Sequence, residues 1–300
     1  MSTRDTFKLP NLVLCLTLLA TASVARADTL YAAFANGNSN GVLRLTPTLT
    51  PGTTTSIPVL PSGLAVDGAG NIYIASGNST YEYDSAGTQL NQINGSGTTQ
   101  TIDLALGSNV YAGVNDGSFH GVAVFTPSLG FVNQFSVVGT VSGVATDGSG
   151  DFYVASGNGT YEYDSSGSLI QQVTGSATTL TIDLAFNGLN VFAGVNDGAF
   201  NGVAIFSPTL GFVNQFTVAD VVTGLAAAPN GDFYVASAAN VYQYSSSGAL
   251  LGTYTAPTGT RITDLTYALD APSVPEPSSL LLLGTGLAGI AGTIRRKLQR

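Results

Sequence analysis

An internal repeat constrains the fold of this chain more than any other feature. Segments that begin at Gly63, Gly143 and Gly224 align closely, as in "GLAVDGAGNIYIASGNSTYEYD" against "GVATDGSGDFYVASGNGTYEYD", and start 80 and 81 residues apart. A second type of segment begins at Ile102 and at Ile182 and fills the intervals. The period is therefore about 40 residues, with two alternating types of unit.

Each unit has the pattern of four short β-strands. In the first type they are "GLAV", "NIYIAS", "STYEYD" and "TQLNQI", separated by Asp-Gly, Ser-Gly and Ala-Gly turns. Aromatic and β-branched residues dominate between the turns, and a helical period of 3.6 residues is absent. Four strands in roughly 40 residues, repeated along the chain, are typical of β-propeller blades.

The ends of the repeat region predict how the ring closes. The stretch "DTLYAAFANGNSNGVLRLTPTLT" from Asp28 matches the second type of unit without its first strand, and "ITDLTYAL" from Ile262 matches that missing strand. Together they complete one blade and leave no free edge. The sequence therefore predicts an all-β fold, a six-bladed β-propeller over residues 28–269, with 270–274 as a linker.

The N-terminus has the pattern of a secretory signal peptide. Arg4 and Lys8 precede an apolar run, and the small residues Ala25 and Ala27 flank a cleavage pattern, which predicts a signal peptide over 1–27. Cys15, the one cysteine, lies inside that apolar run, so the mature chain is expected to use neither disulfides nor a thiol nucleophile.

The C-terminus combines three elements in order. Pro275, Glu276 and Pro277 come first, residues 278–294 carry no charge, and a basic cluster of Arg295, Arg296 and Lys297 follows. An uncharged stretch of about this length can span a bilayer as a helix, and a basic flank stays on the cytoplasmic side. A buried C-terminal helix is the alternative.

This tripartite tail, over residues 275–300, resembles the PEP-CTERM sorting signal. The resemblance implies an exported protein that is held transiently in the inner membrane and processed by an exosortase-like membrane protease. Its destination would then be the cell envelope or the extracellular space.

The charge of the body excludes one class of partner. Between 28 and 275 only Arg44 and Arg261 are basic against 16 Asp and Glu residues, which gives 2 − 16 = −14. Binding of nucleic acid requires cations that neutralise phosphates, so no nucleic-acid partner is expected.

The first type of unit also resembles NHL propeller repeats, through Gly63, Asp67, Gly70, Asn71 and Tyr73 in "GLAVDGAGNIYIAS". Proteins of that group are binding platforms or, in lyase-like branches, enzymes. Fold alone does not choose between the two.

Residues for catalysis are scarce. His120 is the one histidine, and Asn40 and Asn201 occupy its place in sister repeats, which favours a polar loop position. Glu82 and Glu162 are placed on outward strand faces, so paired-carboxylate chemistry is not expected. No catalytic residue is assigned, and a non-enzymatic role is expected, with a secreted lyase or hydrolase as the alternative.

Four aspartates in Asp-Gly turns are weak candidates for calcium ligands: Asp67, Asp147, Asp116 and Asp197. Turn chemistry is the simpler interpretation, because Asp bonds to nearby backbone and Gly takes positive φ. No other cofactor is expected. The sequence thus predicts a binding or structural module at the envelope or in an extracellular polysaccharide matrix, with polysaccharide or surface proteins as possible partners.

Overall fold

The computed structural model describes residues 28–37, 39–198 and 200–269, and these form six four-stranded antiparallel sheets. The predicted signal peptide, the linker and the C-terminal sorting signal with its apolar segment lie outside the described residues. Of the residues described, none belongs to a helix that is long and apolar enough to cross a membrane.

The strands follow one another in the order that the repeat predicts. In chain order they are β1 Thr29–Asn36, β2 Ser39–Leu45, β3 Pro51–Ile57, β4 Gly63–Val66, β5 Ile72–Ser76, β6 Ser79–Tyr83, β7 Gln89–Asn94, β8 Thr99–Leu106, β9 Val110–Asp116, β10 Phe119–Phe125, β11 Phe131–Ser136, β12 Val141–Thr146, β13 Phe152–Ser156, β14 Gly159–Tyr163, β15 Leu169–Thr174, β16 Leu180–Phe186, β17 Val191–Asp197, β18 Phe200–Phe206, β19 Phe212–Thr217, β20 Gly224–Ala227, β21 Phe233–Ser237, β22 Asn240–Tyr244, β23 Leu250–Thr255 and β24 Arg261–Ala268.

Each sheet is one propeller blade. Blade 1 has the strand order β24-β1-β2-β3, and blades 2 to 6 each use four consecutive strands, beginning with β4, β8, β12, β16 and β20. Strand β24 pairs with β1 from Thr29↔Ala268 to Ala35↔Arg261, which confirms the predicted closure of the ring by the two ends of the repeat region.

The middle strands are buried on both faces because neighbouring blades pack against each side of a sheet. All of Ile72 to Ala75 in β5 is buried, and so is every residue of Phe152–Ser156 in β13. Glu82 and Glu162 on the third strands are buried as well, which corrects the expectation that they face outward. Each carboxylate accepts a hydrogen bond from an amide of the adjacent fourth strand, Asn91 (2.6 Å) or Gln171 (2.5 Å).

The turns between the third and fourth strands of blades 3, 5 and 1 bind these blades to the preceding blade. The buried Tyr73 of blade 2 donates a hydrogen bond to the carbonyl oxygen of Pro127 in blade 3 at 3.0 Å. Leu129 in that turn takes a φ of +59° and buries its side chain between the two blades. The same tyrosine-to-proline bond recurs between blades 4 and 5 and between blades 6 and 1. The ring is thus three copies of a two-blade unit.

A second hydrogen bond of a tyrosine hydroxyl is present in two of the three copies and missing in the other. The Tyr163 hydroxyl accepts a hydrogen bond from the backbone N–H of Val138 at 3.0 Å, and Tyr244 accepts an equivalent bond. In the remaining copy the position of Val138 is held by Pro58, which has no N–H to donate. The buried hydroxyl of Tyr83 consequently has no hydrogen-bond partner among the described residues.

Candidate functional site

Three aspartates meet at the axis of the ring. The innermost strands of blades 3, 5 and 1 carry Asp103, Asp183 and Asp264, which are 6%, 6% and 4% exposed. One carboxylate oxygen from each lies within 4.8 Å of the others. We call this set the axial triad. It borders a narrow axial cavity of about 150 Å³ that is lined by the innermost strands of all six blades.

Each carboxylate of the axial triad joins two blades. One oxygen accepts the backbone N–H of the next residue in its own strand, as Asp103 does from Leu104 at 2.7 Å. The other oxygen accepts an N–H from the following blade, and Asp103 bonds Val144 in this way at 2.7 Å. Asp183 and Asp264 repeat both bonds. The inner strand of a blade is an edge with unpaired N–H groups, and the triad satisfies them.

Glycines allow the blades to approach so closely. A Cβ atom on Gly63 would lie 2.5 Å from the Cα atom of Asp103, and one on Gly143 would lie 2.7 Å from the Cα atom of Asp183. Gly224 has the same relation to Asp264, at 2.8 Å. The glycine that begins each first-type unit is therefore required by packing against the axial triad, because any side chain would strike backbone.

Burial governs the charge of the axial triad. Loss of hydration raises the pKa of Asp103 to about 7, against the opposing effect of its backbone hydrogen bonds. Burial first, and then the negative charge of Asp103, raise the pKa of Asp183 and of Asp264 well above the usual range. The axial triad therefore binds protons more tightly than solvent-exposed aspartates do.

The axial triad joins neighbouring blades through hydrogen bonds. Its three carboxylates are also close enough together to hold a metal ion, and among the described residues no other such group of three is found. Both oxygens of every carboxylate already accept backbone N–H bonds, and this accounts for the arrangement without a cation. None of these three aspartates is among the site residues that the sequence predicts. The available signal was an aspartate at the same place in "TIDLAL", "TIDLAF" and "ITDLTY", on strands that hold no other acidic residue.

The predicted calcium candidates in the first-type units bond within their own loops. Asp67 accepts the backbone N–H groups of Ala69 (2.9 Å) and Asn71 (2.8 Å) through one oxygen. Asp147 accepts the N–H and the hydroxyl of Ser149 at 2.8 and 2.7 Å. These are the bonds that turn chemistry requires. Calcium binding at these positions stays a prediction.

The other two candidates are held by hydroxyl groups. Asp116 accepts hydrogen bonds from Ser96 (2.8 Å) and Thr98 in the loop that precedes β8, and from Thr99 (3.0 Å) at the start of β8. The hydroxyl of Thr98 makes the largest contribution to a lowered pKa of this carboxyl group. Asp197 has equivalent bonds in blade 5. In the described part of the chain, none of the four candidates belongs to a cluster of three potential metal ligands.

His120 lies in strand β10, where it pairs with Asn115, and not in a loop as the sequence favoured. Its Nδ1 atom is 3.0 Å from the Oδ1 atom of Asn115, and that oxygen also accepts the backbone N–H of Val141 at 3.0 Å. The cleavage residues Ala25 and Ala27 and the sorting residues Pro275, Glu276, Pro277, Arg295, Arg296 and Lys297 lie outside the described residues.

Comparisons with solved structures show the fold. The chain is similar to a protein of unknown function from Bacteroides caccae, with a TM-score of 0.64 and 12% identity over 80% of this chain and 98% of that one. A structure of a nidogen/laminin complex gives a TM-score of 0.65 and 15% identity over 80% and 98%. A functionally unknown protein from Desulfotomaculum acetoxidans DSM 771 gives 0.55 and 12% over 81% and 90%.

Sequence comparison identifies the tail. The search of curated proteins found no match. Residues 273–297 match the PEP-CTERM protein-sorting motif, as the Pro-Glu-Pro element and the basic end predicted. The motif implies an exported exosortase substrate that is anchored transiently at the membrane before processing. The chain thus consists of a six-bladed β-propeller followed in the sequence by a PEP-CTERM sorting motif.

Proposed function

We propose that this chain is a non-catalytic binding or structural module, which acts at the cell envelope or in the extracellular polysaccharide matrix after an exosortase-like protease has processed it. The observation that carries the proposal is the sorting motif at residues 273–297, because it directs the propeller out of the cell. A propeller without its own membrane anchor would then need a surface or polymer partner to remain there.

The arrangement of polar groups supports a role without catalysis. The axial triad is used to join blades, and His120 is bonded to Asn115. A catalytic site needs a proton-transfer group with an accessible partner. The buried Glu82 and Glu162 bond to amides of the adjacent strands instead.

Two experiments test the proposal. Replacement of Pro275, Glu276 and Pro277 by alanine is expected to leave an unprocessed chain in the membrane fraction, whereas the wild-type chain is released. The released chain is then sedimented with the extracellular polysaccharide of the producing cell, with calcium and with a chelator. Co-sedimentation supports the proposal, and a chain that stays in the supernatant in both conditions contradicts it.

A matched variant separates binding from enzyme activity. His120→Asn copies the residue of the sister repeat at Asn201 and is expected to fold and to co-sediment like the wild type. An activity on polysaccharide that disappears in this variant would favour the alternative, a secreted lyase or hydrolase.

A further inference from the structure

Two equivalent clefts open between neighbouring blades. One, of about 280 Å³, lies between blades 2 and 3, and the other, of about 350 Å³, lies between blades 4 and 5. Their walls are built from the same repeat positions, including Asp116 and Asp197 and the exposed rings of Phe131 and Phe212. Their volumes are near the lower end of the roughly 300–1,000 Å³ of small-molecule sites. We call them the paired clefts.

The paired clefts exist because small side chains occupy positions that are aromatic at other interfaces, such as the one between blades 3 and 4. Between blades 3 and 4, Phe135, Phe152 and Tyr163 stack with ring centroids 5.8 and 5.4 Å apart and fill the space. At the cleft between blades 2 and 3, the position of Phe135 is held by Ile93, and smaller residues such as Ala123 form the facing wall.

The third interface of the same type is filled. Between blades 6 and 1, Leu43 and Tyr254 belong to one hydrophobic cluster. They occupy the positions of two smaller residues in the first cleft, which are Ala123 and Ile93. The ring of Phe34 lies beside Gly41 as the ring of Phe119 lies beside Gly121 in the first cleft, so it adds no filling. The fold therefore accommodates larger side chains here, and its geometry does not require open space at the two other interfaces. The open clefts leave apolar surface in water that larger side chains would bury, as they do at the third interface, so a further reason for them is sought.

The chemistry of the walls selects a class of ligand. Phe131 is 59% exposed, and its ring packs in an edge arrangement on the ring of the buried Phe125, with centroids 6.1 Å apart. It therefore offers an apolar surface to a ligand. Beside it lie the exposed amide of Gln134 and the carboxylate of Asp116, which three hydroxyl groups hold in place. No lysine or arginine lines either cleft. An anionic ligand would meet a carboxylate without a compensating cation.

We propose that the paired clefts are equivalent binding sites for units of a neutral polysaccharide. A neutral sugar ring combines a C–H face, which suits an aromatic platform, with hydroxyl groups that bond to amides and carboxylates. The inference rests on the proposed function as a binding module and deepens it. Two sites on one ring allow a single polymer to be held with higher avidity than one site provides, or two polymers to be cross-linked.

The test is calorimetric titration of the full-length chain, purified in detergent, with cellohexaose, maltohexaose and xylohexaose. Oligogalacturonate serves as the anionic control. Saturable binding of at least one neutral hexasaccharide at two sites per chain is expected, with none of the control. If no neutral hexasaccharide binds saturably, the proposal is overturned.

The chain supplies its own blocking variants. Ile93→Tyr with Ala123→Leu, and Val173→Tyr with Ala204→Leu, transfer residues of the filled interface into the clefts. Filling one cleft is expected to leave one binding site, and filling both is expected to weaken binding by about tenfold or more. If these variants do not fold, Phe131→Ala with Phe212→Ala removes only exposed rings and is expected to weaken binding similarly. Unchanged binding in a folded variant would overturn the assignment.

Sedimentation with the producer's polysaccharide separates this inference from the proposed function. If the variant with both clefts filled still co-sediments like the wild type, the paired clefts are not the site and the proposed function stands. If the wild type binds hexasaccharides through the clefts but does not co-sediment, the cleft assignment stands and the proposed function fails.

Discussion

Raising the pH is expected to weaken the ring at its axis. The axial triad buries three carboxyl groups whose pKa values lie above the ordinary value, so the folded chain binds their protons more tightly than the unfolded chain does. This stabilising contribution is complete below the unfolded pKa of 3.8 and is lost as the pH rises through the folded pKa, about 7 for Asp103.

The size of the effect follows from that one value. The pKa of Asp103 rises from 3.8 to about 7. This difference of roughly three units, at about 1.36 kcal/mol each, corresponds to about 4 kcal/mol. A domain has a free energy of unfolding of only about 5–15 kcal/mol, so the loss would be large. Asp183 and Asp264 act in the same direction.

The free energy of unfolding is measured by urea unfolding followed by circular dichroism, at intervals between about pH 4 and about pH 8. The wild type is compared with the variant Asp103→Asn. The variant cannot ionise, and it loses one acceptor for a backbone N–H. It should therefore be less stable than the wild type at low pH and approach it as the pH rises. Asp116→Asn is the matched control, because its half-buried carboxyl has a lowered pKa and contributes stability of the opposite pH dependence. Parallel pH profiles for wild type and Asp103→Asn would refute the reasoning.

Two further predictions concern packing and hydrogen bonding. Gly143→Ala is expected to lose about 1–3 kcal/mol or more of stability in thermal unfolding, because its Cβ would strike backbone, whereas Gly97→Ala, with no atom within 4 Å, should unfold like the wild type. Tyr163→Phe should cost about 0.5–1.5 kcal/mol through the lost bond to Val138, whereas Tyr83→Phe should cost nothing, since its hydroxyl has no partner among the described residues. A loss in Tyr83→Phe equal to that in Tyr163→Phe would contradict the second prediction.

The architecture could be predicted because short sequence patterns specify each strand and turn, and these patterns repeat along the chain. Alternating strands, Asp-Gly turns and a period of about 40 residues each indicate a blade without knowledge of any distant contact. Ring closure was also predictable, since the strand missing from the unit at Asp28 appears at Ile262. The environment of Glu82 was not, because burial of a third strand on both faces depends on how neighbouring blades pack.

The axial triad and the paired clefts depend on contacts between blades, which single units do not reveal. Asp103 lies 80 residues from Asp183 in the chain, and only the circular arrangement brings their carboxylates together. The clefts depend on a comparison between interfaces. An alanine at 123 is unremarkable in its strand, and its meaning appears only beside the leucine that fills the equivalent interface.

The three-fold repeat separates what the fold requires from what two of its copies have added. All three copies keep the axial aspartate, the glycine against it and the tyrosine that bonds to a proline carbonyl, so these features belong to the assembly of the ring. The exposed phenylalanine, the hydroxyl-bonded aspartate and the open cleft occur together in two copies and are replaced together in the third, where Pro51 and Asn36 stand at the equivalent positions. Recent duplication of one two-blade unit would also leave two copies alike, and the structural bond of Tyr163 is likewise kept in two copies and lost at Tyr83. The blocking variants therefore decide whether the clefts share a task, and they do so without altering the axis.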